Sequence, residues 1–491
     1  MAPNLRDLET ALLLSAGAKR VDGDNYTTTT TTNNNNNERL KPSPLDAALH
    51  SNNTRFYGST ANQWQKLTRY DPLQQRKLEN PTSNLDTLVH ILNGNLGTGI
   101  LAMPDAFKNA GLYVGLFGTM AMGIICTHSM HTLVKVSHEL CRRYEVPSLS
   151  FSDVGQYALE SGPSCFHRFG RLIGLLINCF LITMQIGFCC VYFLFVAINL
   201  TDFLEYISIK TDVFNVLVCI LLPLIALNMI RSLKFLTPTS MVAAILAISG
   251  ITISFMFLLS DLPRSTSVSP ASDWRTIPLY FGTVMYAFEG IGVILPLENN
   301  MKTPKDFCRW NGVLNTGMTI VVCLYSAVGF YGYLKYGDAA QGSITLNLPS
   351  HLFLAELVRL LMAVAVFASY ALQFYVPMTI LGPVVRRQFG SNAAQDYAEY
   401  ALRIALVLLT FTLAAIIPNL GSFISLVGAV STSTLALVFP PLLEIATYWP
   451  NRQYGRWNWI LWKDIAVVSL GLFGFLIGTS TSVVEIITEW E

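Results

Sequence analysis

The stretch HILNGNLGTGILAMP, His90 to Pro104, decides how this chain folds. Three glycines, Gly94, Gly97 and Gly99, stand within six residues of an otherwise apolar segment. Each glycine costs a helix interior about 1 kcal/mol, so the cluster predicts an unwound stretch. The apolar residues around it make a segment long enough to cross ~30 Å of hydrocarbon, which takes about 20 residues. Irregular backbone at that depth is tolerated only where it is buried in protein or lines a cavity. Asn95 and Thr98 add polar groups at the same level. A second stretch, YAFEGIGVILP (Tyr286–Pro296), repeats the pattern with Glu289, Gly290, Gly292 and Pro296.

Outward from these two stretches the chain is membrane-like. Of its 491 residues 52% are hydrophobic and 13% charged, against about 25% charged in soluble domains. Eleven apolar spans are expected at about 85–106, 112–135, 172–199, 213–230, 237–259, 278–297, 311–333, 352–380, 399–417, 420–446 and 463–483. The region 81–491 is thus read as one transmembrane domain. Residues 1–80, with the run Thr27–Thr32 followed by Asn33–Asn37, cannot bury enough apolar surface to fold and read as a disordered tail. The start lacks the basic region and cleavage site of a secretory signal. With this tail in the cytosol, the inner loops carry Lys135, Arg142, Arg143, Arg168, Arg171, Arg231, Lys234, Lys302, Lys305, Arg309, Arg386, Arg387, Arg403, Arg452, Arg456 and Lys463. The outer side carries only Lys108, Lys210, Arg264, Arg275 and Lys335, an asymmetry of about threefold that fixes the orientation. The acidic end, Glu485, Glu489 and Glu491, then lies outside. Trp274, Trp310, Trp457, Trp459 and Trp462 fit interfacial anchors. The segment Ser150–Pro163 is expected to form a short inner helix starting at Ser152 or Asp153.

Composition and motifs exclude several classes. A net charge of +1 gives no reason to expect a nucleic-acid partner. The nine cysteines form neither a disulfide framework nor a zinc spacing. No nucleophile and base, metal cluster or phosphate loop is recognisable, so an enzyme is not expected. GNLGTG is no nucleotide fingerprint, because it lies inside an apolar span and follows no strand.

The two glycine breaks sit in the first and sixth spans, equivalent places in two halves of five. Five is odd, so the halves run inverted. Paired Gly-interrupted spans in inverted halves point to a binding site at mid-membrane. Half-helix N-termini suit a carboxylate and freed carbonyls suit an ammonium, and a zwitterionic amino acid presents both. The competing reading of each glycine cluster is close helix packing. His90 lies one turn before Gly94, and histidine is the side chain whose ordinary charge change falls in the range an acidic compartment spans, so it is a candidate for the coupled proton; the bland alternative is a neutral histidine bonded to a carbonyl. Glu289 either shares a proton, faces the substrate amine or tethers the broken backbone. Tyr370 and Gln373, in SYALQFY (Ser369–Tyr375), are candidates to line the pathway. Glu356 and Arg359 are expected to pair at i, i+3. His128 and His131 read as structural, and Glu444 as snorkelling to an inner boundary.

HILNGNLGTGILAMP, FEGIGVILPLENNM, SITLNLP and YALQFYVP together resemble the proton-assisted amino acid transporters of the amino acid/auxin permease group, from about Asn80 to the last span. That resemblance implies an all-α, eleven-helix fold with two inverted five-helix repeats, the leucine-transporter type. It implies symport of small neutral amino acids such as glycine, alanine and proline with protons as the coupled ion, and no bound cofactor. The family's proton-coupling histidine falls on His90. Its unwound first-span motif falls on Gly94, Asn95, Gly97, Thr98 and Gly99, and its sixth-span motif on Phe288, Glu289, Gly290, Ile291 and Gly292. Some relatives carry a cysteine where this chain has Ser350-His351, so a family disulfide in that loop is not expected. The family occurs at the plasma membrane and on endosomes or lysosomes; Glu9 with Leu13 and Leu14 fits an acidic dileucine pattern. It is also associated with growth signalling, which makes a sensor acting through tail-bound partners the alternative from another class, beside sodium-driven transport on the same fold. Asn199 heads a glycosylation sequon at an outer boundary, whereas those at Asn25 and Asn52 are silent in a cytosolic tail.

Overall fold

The computed structural model describes residues 71–488, apart from 74, 77, 79, 80, 96, 232, 418, 451 and 453, and no side chains at 233–240. The dileucine pattern, Asn25, Asn52, Glu489, Glu491 and the expected tail as far as residue 70 lie outside the described residues.

The glycine-rich first stretch is divided. Helix α1 (Asn84–Asn95) is followed by α2 (Thr98–Leu101) and α3 (Met103–Ala110). A reciprocal cap starts α1: the Ser83 N–H donates to Asp86 Oδ2 (3.1 Å) and the Asp86 N–H to Ser83 Oγ (3.2 Å). Pro104 opens α3, and Gly111, at φ 87°, ends it in a conformation that favours glycine. There follow α4 (Leu112–Tyr144), α5 (Phe151–Glu160), α6 (Gly170–Tyr206), α7 (Val213–Asn228) and α8 (Leu233–Leu259). The sixth stretch is also divided, into α9 (Ile277–Ala287) and α10 (Ile291–Asn299). Helices α11 (Val313–Tyr336), α12 (Phe353–Arg386) and α13 (Asn392–Ile416) come next. The tenth stretch runs as α14 (Leu420–Val427), two π-helical segments (Gly428–Thr432 and Thr434–Val438) and α15 (Phe439–Tyr448), and α16 (Trp459–Thr488) closes the chain. Pro440 and Pro441 lack the N–H groups that the preceding carbonyls would need, which favours the wider π turns before them.

Among the described residues nine helical stretches are long and apolar enough to cross a membrane. Helix α7 is a shorter apolar helix of 16 residues. The protein is therefore an all-α polytopic membrane protein. Burial orders its layers: the apolar window of Leu420–Tyr448 is 89% buried and that of His167–Tyr206 78%, against 17% for Arg456–Thr488. The tenth stretch and α6 are thus central, and α16 is peripheral. Helix α6 packs along α12 and α5, α9 against α14, and α11 against α4, α3 and α1.

Three local expectations are corrected or sharpened. Helix α5 starts at Phe151, one or two residues earlier than expected, because Ser150 is its cap and Asp153 the third residue, in a reciprocal capping box. Glu444 does not snorkel: it is buried, and Lys135 Nζ and Lys463 Nζ each donate to it at 2.9 Å. The Asn199 side chain is fully buried and donates to the Phe195 carbonyl at 2.9 Å, so that sequon faces the protein interior. Elsewhere the i, i+3 spacing reads true, since Arg359 Nη1 donates to buried Glu356. Arg359 also holds the SITLNLP loop through the carbonyls of Thr345 (3.1 Å) and Leu348 (2.8 Å).

Candidate functional site

The two breaks face each other. Gly99 approaches the sixth stretch so closely that an added Cβ would lie 2.7 Å from Ala287 Cα. An added Cβ at Gly290 would lie 3.2 Å from both Asn95 Nδ2 and Met130 Cε. Three further links close the gap. Thr98 Oγ1 and the Tyr286 hydroxyl are hydrogen-bonded at 2.7 Å. The Tyr325 hydroxyl, from α11, donates to the Ala287 carbonyl at 2.8 Å and to the Asn95 carbonyl. These are the last carbonyls of α9 and α1, the negative ends of two half-helices.

Asn95 is 4% exposed; its amide donates to the Ile91 carbonyl at 2.8 Å, and its Oδ1 has no partner among the described residues. Glu289 lies in the turn between α9 and α10, half-buried, with Gln185 Nε2 of α6 donating to it at 3.4 Å. Gln185 is 2% exposed, and its Oε1 also lacks a partner among the described residues. Acceptors therefore outnumber donors at this centre. Aromatic rings enclose it: Phe188 and Tyr286 are 4.4 Å apart between centroids, Phe288 and Tyr325 5.2 Å. An added Cβ at Gly97 would lie 3.1 Å from the Tyr192 hydroxyl.

Of the sequence candidates, Asn95, Gly97, Thr98, Gly99, Phe288, Glu289 and Gly290 are brought together. Ile291 is buried at the start of α10, and Gly292 faces Leu181 and Met184 of α6. Gln373 reaches the cluster indirectly, donating to the Tyr192 hydroxyl at 3.3 Å. Tyr370 is hydrogen-bonded to Thr410 at 2.7 Å. His90 and Gly94 are exposed on a different face of α1 from Asn95, in one stripe with Asp86. Tyr325, Tyr286, Tyr192 and Gln185 were not among the candidates. Their only sequence signal is a polar atom within an apolar span.

Cavities approach from both ends. One of about 620 Å³ is lined by Asp105, Lys108 and Asn419 and runs as deep as Thr283 and Ser425, one turn from Ala287. The other, of about 820 Å³, is lined by His128, His131, Lys135, His138, Trp459 and Lys463.

Two broken helices facing each other inside an all-α membrane bundle are the construction of a membrane transporter. The chain matches the transmembrane amino acid transporter protein family over residues 80–484 and belongs to it. It is 36% identical over 423 residues to the proton-coupled amino acid transporter-like protein pathetic of Drosophila melanogaster, covering 86% of this chain and 89% of that protein. It is 25% identical over 405 residues to the probable amino acid transporter skat-1 of Caenorhabditis elegans, covering 80% and 88%. A nucleobase-cation-symport-1 family transporter, in a closed conformation with bromovinylhydantoin bound, superposes with TM-score 0.50 at 12% identity over 86% of this chain and 94% of that one. That likeness shows a shared fold. Its family places this protein among amino acid transporters, not enzymes.

Proposed function

We propose that the protein carries small neutral amino acids, of the alanine, glycine and proline type, together with protons and by alternating access. The observation that carries this reading is the acceptor-rich centre between the breaks. Asn95 Oδ1 and Gln185 Oε1 lack donors among the described residues, and Glu289 receives one long bond. An ammonium brings three donors to such a place. The first turn of α10, beginning at Ile291, offers free N–H groups to the carboxylate. Asn95, Gly97, Thr98, Gly99, Phe288, Gly290, Ile291 and Gly292 form the binding set, with Gln373 behind Tyr192. Close aromatic walls favour a small side chain.

The proton carriers in this reading are Glu289, inside the centre, and His90, exposed near the end of α1. Proton coupling is also in the name of the fly relative. The eleven spans form two inverted repeats of five, with the N-terminal side cytosolic by the distribution of basic residues. The cavity at Asp105 and Lys108 is then the outer vestibule and the one at Lys135 and Lys463 the inner. The housing membrane is the plasma membrane or that of endosomes and lysosomes.

The test is uptake of labelled alanine, glycine and proline by expressing cells at about pH 5.5 and about pH 7.5, the range in which histidine titrates, in sodium or choline. Sodium-independent uptake with inward current that rises in acid is expected. Uptake that requires sodium refutes proton coupling. Glu289→Gln and His90→Ala then separate the two carriers: the one that couples loses the acid stimulation.

A further inference from the structure

The Tyr325 hydroxyl holds a singular place. It comes from α11, an unbroken helix, yet it reaches both breaks at once. The tyrosine is fully buried, and its ring is braced by Phe288. Its one hydrogen serves two acceptors, the carbonyls of Asn95 and Ala287. Both carbonyls end half-helices, so two negative dipole ends converge on a single point. In transporters with interrupted helices, such freed carbonyls and C-terminal ends are what coordinate a coupling cation. Here a fixed, uncharged hydroxyl stands at that point.

We infer that Tyr325 is a positioning residue for transport: its hydroxyl fastens the two half-helix ends together, a task that would otherwise need a bound metal cation. The inference rests on the reading of the breaks as the amino acid site. It makes two demands. The half-helices are in register for substrate only while fastened, so apparent affinity falls with the fraction of molecules that are fastened. And the site needs no sodium, because the tyrosine fills the point where the ion would sit.

The experiment uses the full chain with labelled alanine. Tyr325→Phe keeps the ring and removes the hydroxyl. Its KM is expected to rise about tenfold, the effect of losing a buried hydrogen bond that two carbonyls share, while the maximal rate changes less. Replacing Tyr325 with 4-aminophenylalanine, which offers two N–H donors, is expected to restore the KM. Tyr325→Ser removes the ring and leaves room between the carbonyls, and its uptake is expected to become sodium-stimulated. Each form is also reconstituted and measured per folded molecule, so a loss of expression does not count as a loss of transport. A Tyr325→Phe protein with an unchanged KM overturns the inference. So does a Tyr325→Ser protein indifferent to sodium, or an amino form as impaired as Tyr325→Phe. Sodium-dependent uptake by the unmodified chain would overturn the proton reading and, with it, the demand that the tyrosine takes the ion's place, whereas an unchanged KM in Tyr325→Phe leaves the proton reading standing.

Discussion

Replacing Arg76 should loosen the end of the bundle assigned to the cytosol. Arg76 precedes α1, yet its guanidinium lies against the end of α10. Its Nη1 and Nη2 each meet one oxygen of Glu298 at 3.0 Å. Nη1 also donates to the Glu298 carbonyl at 3.1 Å and Nε to the Pro147 carbonyl at 2.9 Å. The two side chains are 3% and 0% exposed, and His138 Nε2 approaches Glu298 Oε1 at 2.8 Å from α4. Beside them the chain is stitched down by Thr82 N–H to the Asn300 carbonyl and Lys302 N–H to the Thr82 carbonyl, both 2.9 Å. The segment before the first broken stretch is therefore strapped over the end of the second. Removing one partner of a buried, hydrogen-bonded pair costs about 3–5 kcal/mol, because the other charge is stranded. His138 remains to pair with Glu298, so the lower end applies. About 3 kcal/mol is a shift of roughly 100-fold in an equilibrium. Cys141 is buried on α4 within the field of Arg76 and Glu298, and reports the opening. In Arg76→Ala its labelling by a maleimide, read by peptide mass spectrometry, should accelerate about 100-fold. Cys189 and Cys190, buried on α6, should stay protected, which separates local opening from unfolding. The double replacement Arg76→Met with Glu298→Leu removes both charges and should recover most of the loss. Equal Cys141 labelling in Arg76→Ala and the unmodified chain would refute the reasoning.

Other predictions follow from single contacts. Gly99→Ala forces a methyl onto the backbone of Ala287; it should destabilise by about 1–3 kcal/mol and stop uptake. Gly94→Ala meets only Val293 at 3.8 Å and should leave the melting temperature unchanged or slightly higher. Asn199 should carry no glycan, so glycosidase treatment should cause no mobility shift that Asn199→Gln abolishes. Burial pushes the Cys308 thiol up to about 12; that leaves roughly 1,000-fold less thiolate at neutral pH than an ordinary cysteine has. In opened membranes an impermeant maleimide should therefore label exposed Cys165 promptly and Cys308 hardly at all. In intact cells Cys165 should stay unlabelled if its loop is cytosolic.

The sequence made the breaks legible because helix interruption is a local property. Three glycines among apolar residues announce themselves without any partner, and so do Gly290 and Gly292 beside Glu289. Helix starts and near pairs share that locality: α5 begins within two residues of the expected Ser152 or Asp153, and Glu356 pairs with Arg359 one turn away. What happens around a helix axis is less local. His90 and Gly94 do share a face, as their spacing requires, but that face is exposed. Asn95, one residue or about 100° further round, points into the protein instead. Nothing in the sequence alone says which stripe of α1 meets α9.

The groups that hold the breaks together are harder still to see, for a physical reason. Tyr325 and Gln185 stand on unbroken helices, where a phenol or an amide changes the apolar pattern too little to mark a site. Arg76 and Glu298 are 222 residues apart, and each alone reads as an ordinary boundary charge. Glu444 misled in the same way, since its two lysines come from α4 and α16. An interruption is encoded where it occurs, whereas the register between two interruptions must be enforced by rigid neighbours. A transporter that has to move its broken helices needs those fixing groups on helices that do not break. The residues most informative about coupling here are therefore the polar atoms of the regular helices, above all the Tyr325 hydroxyl.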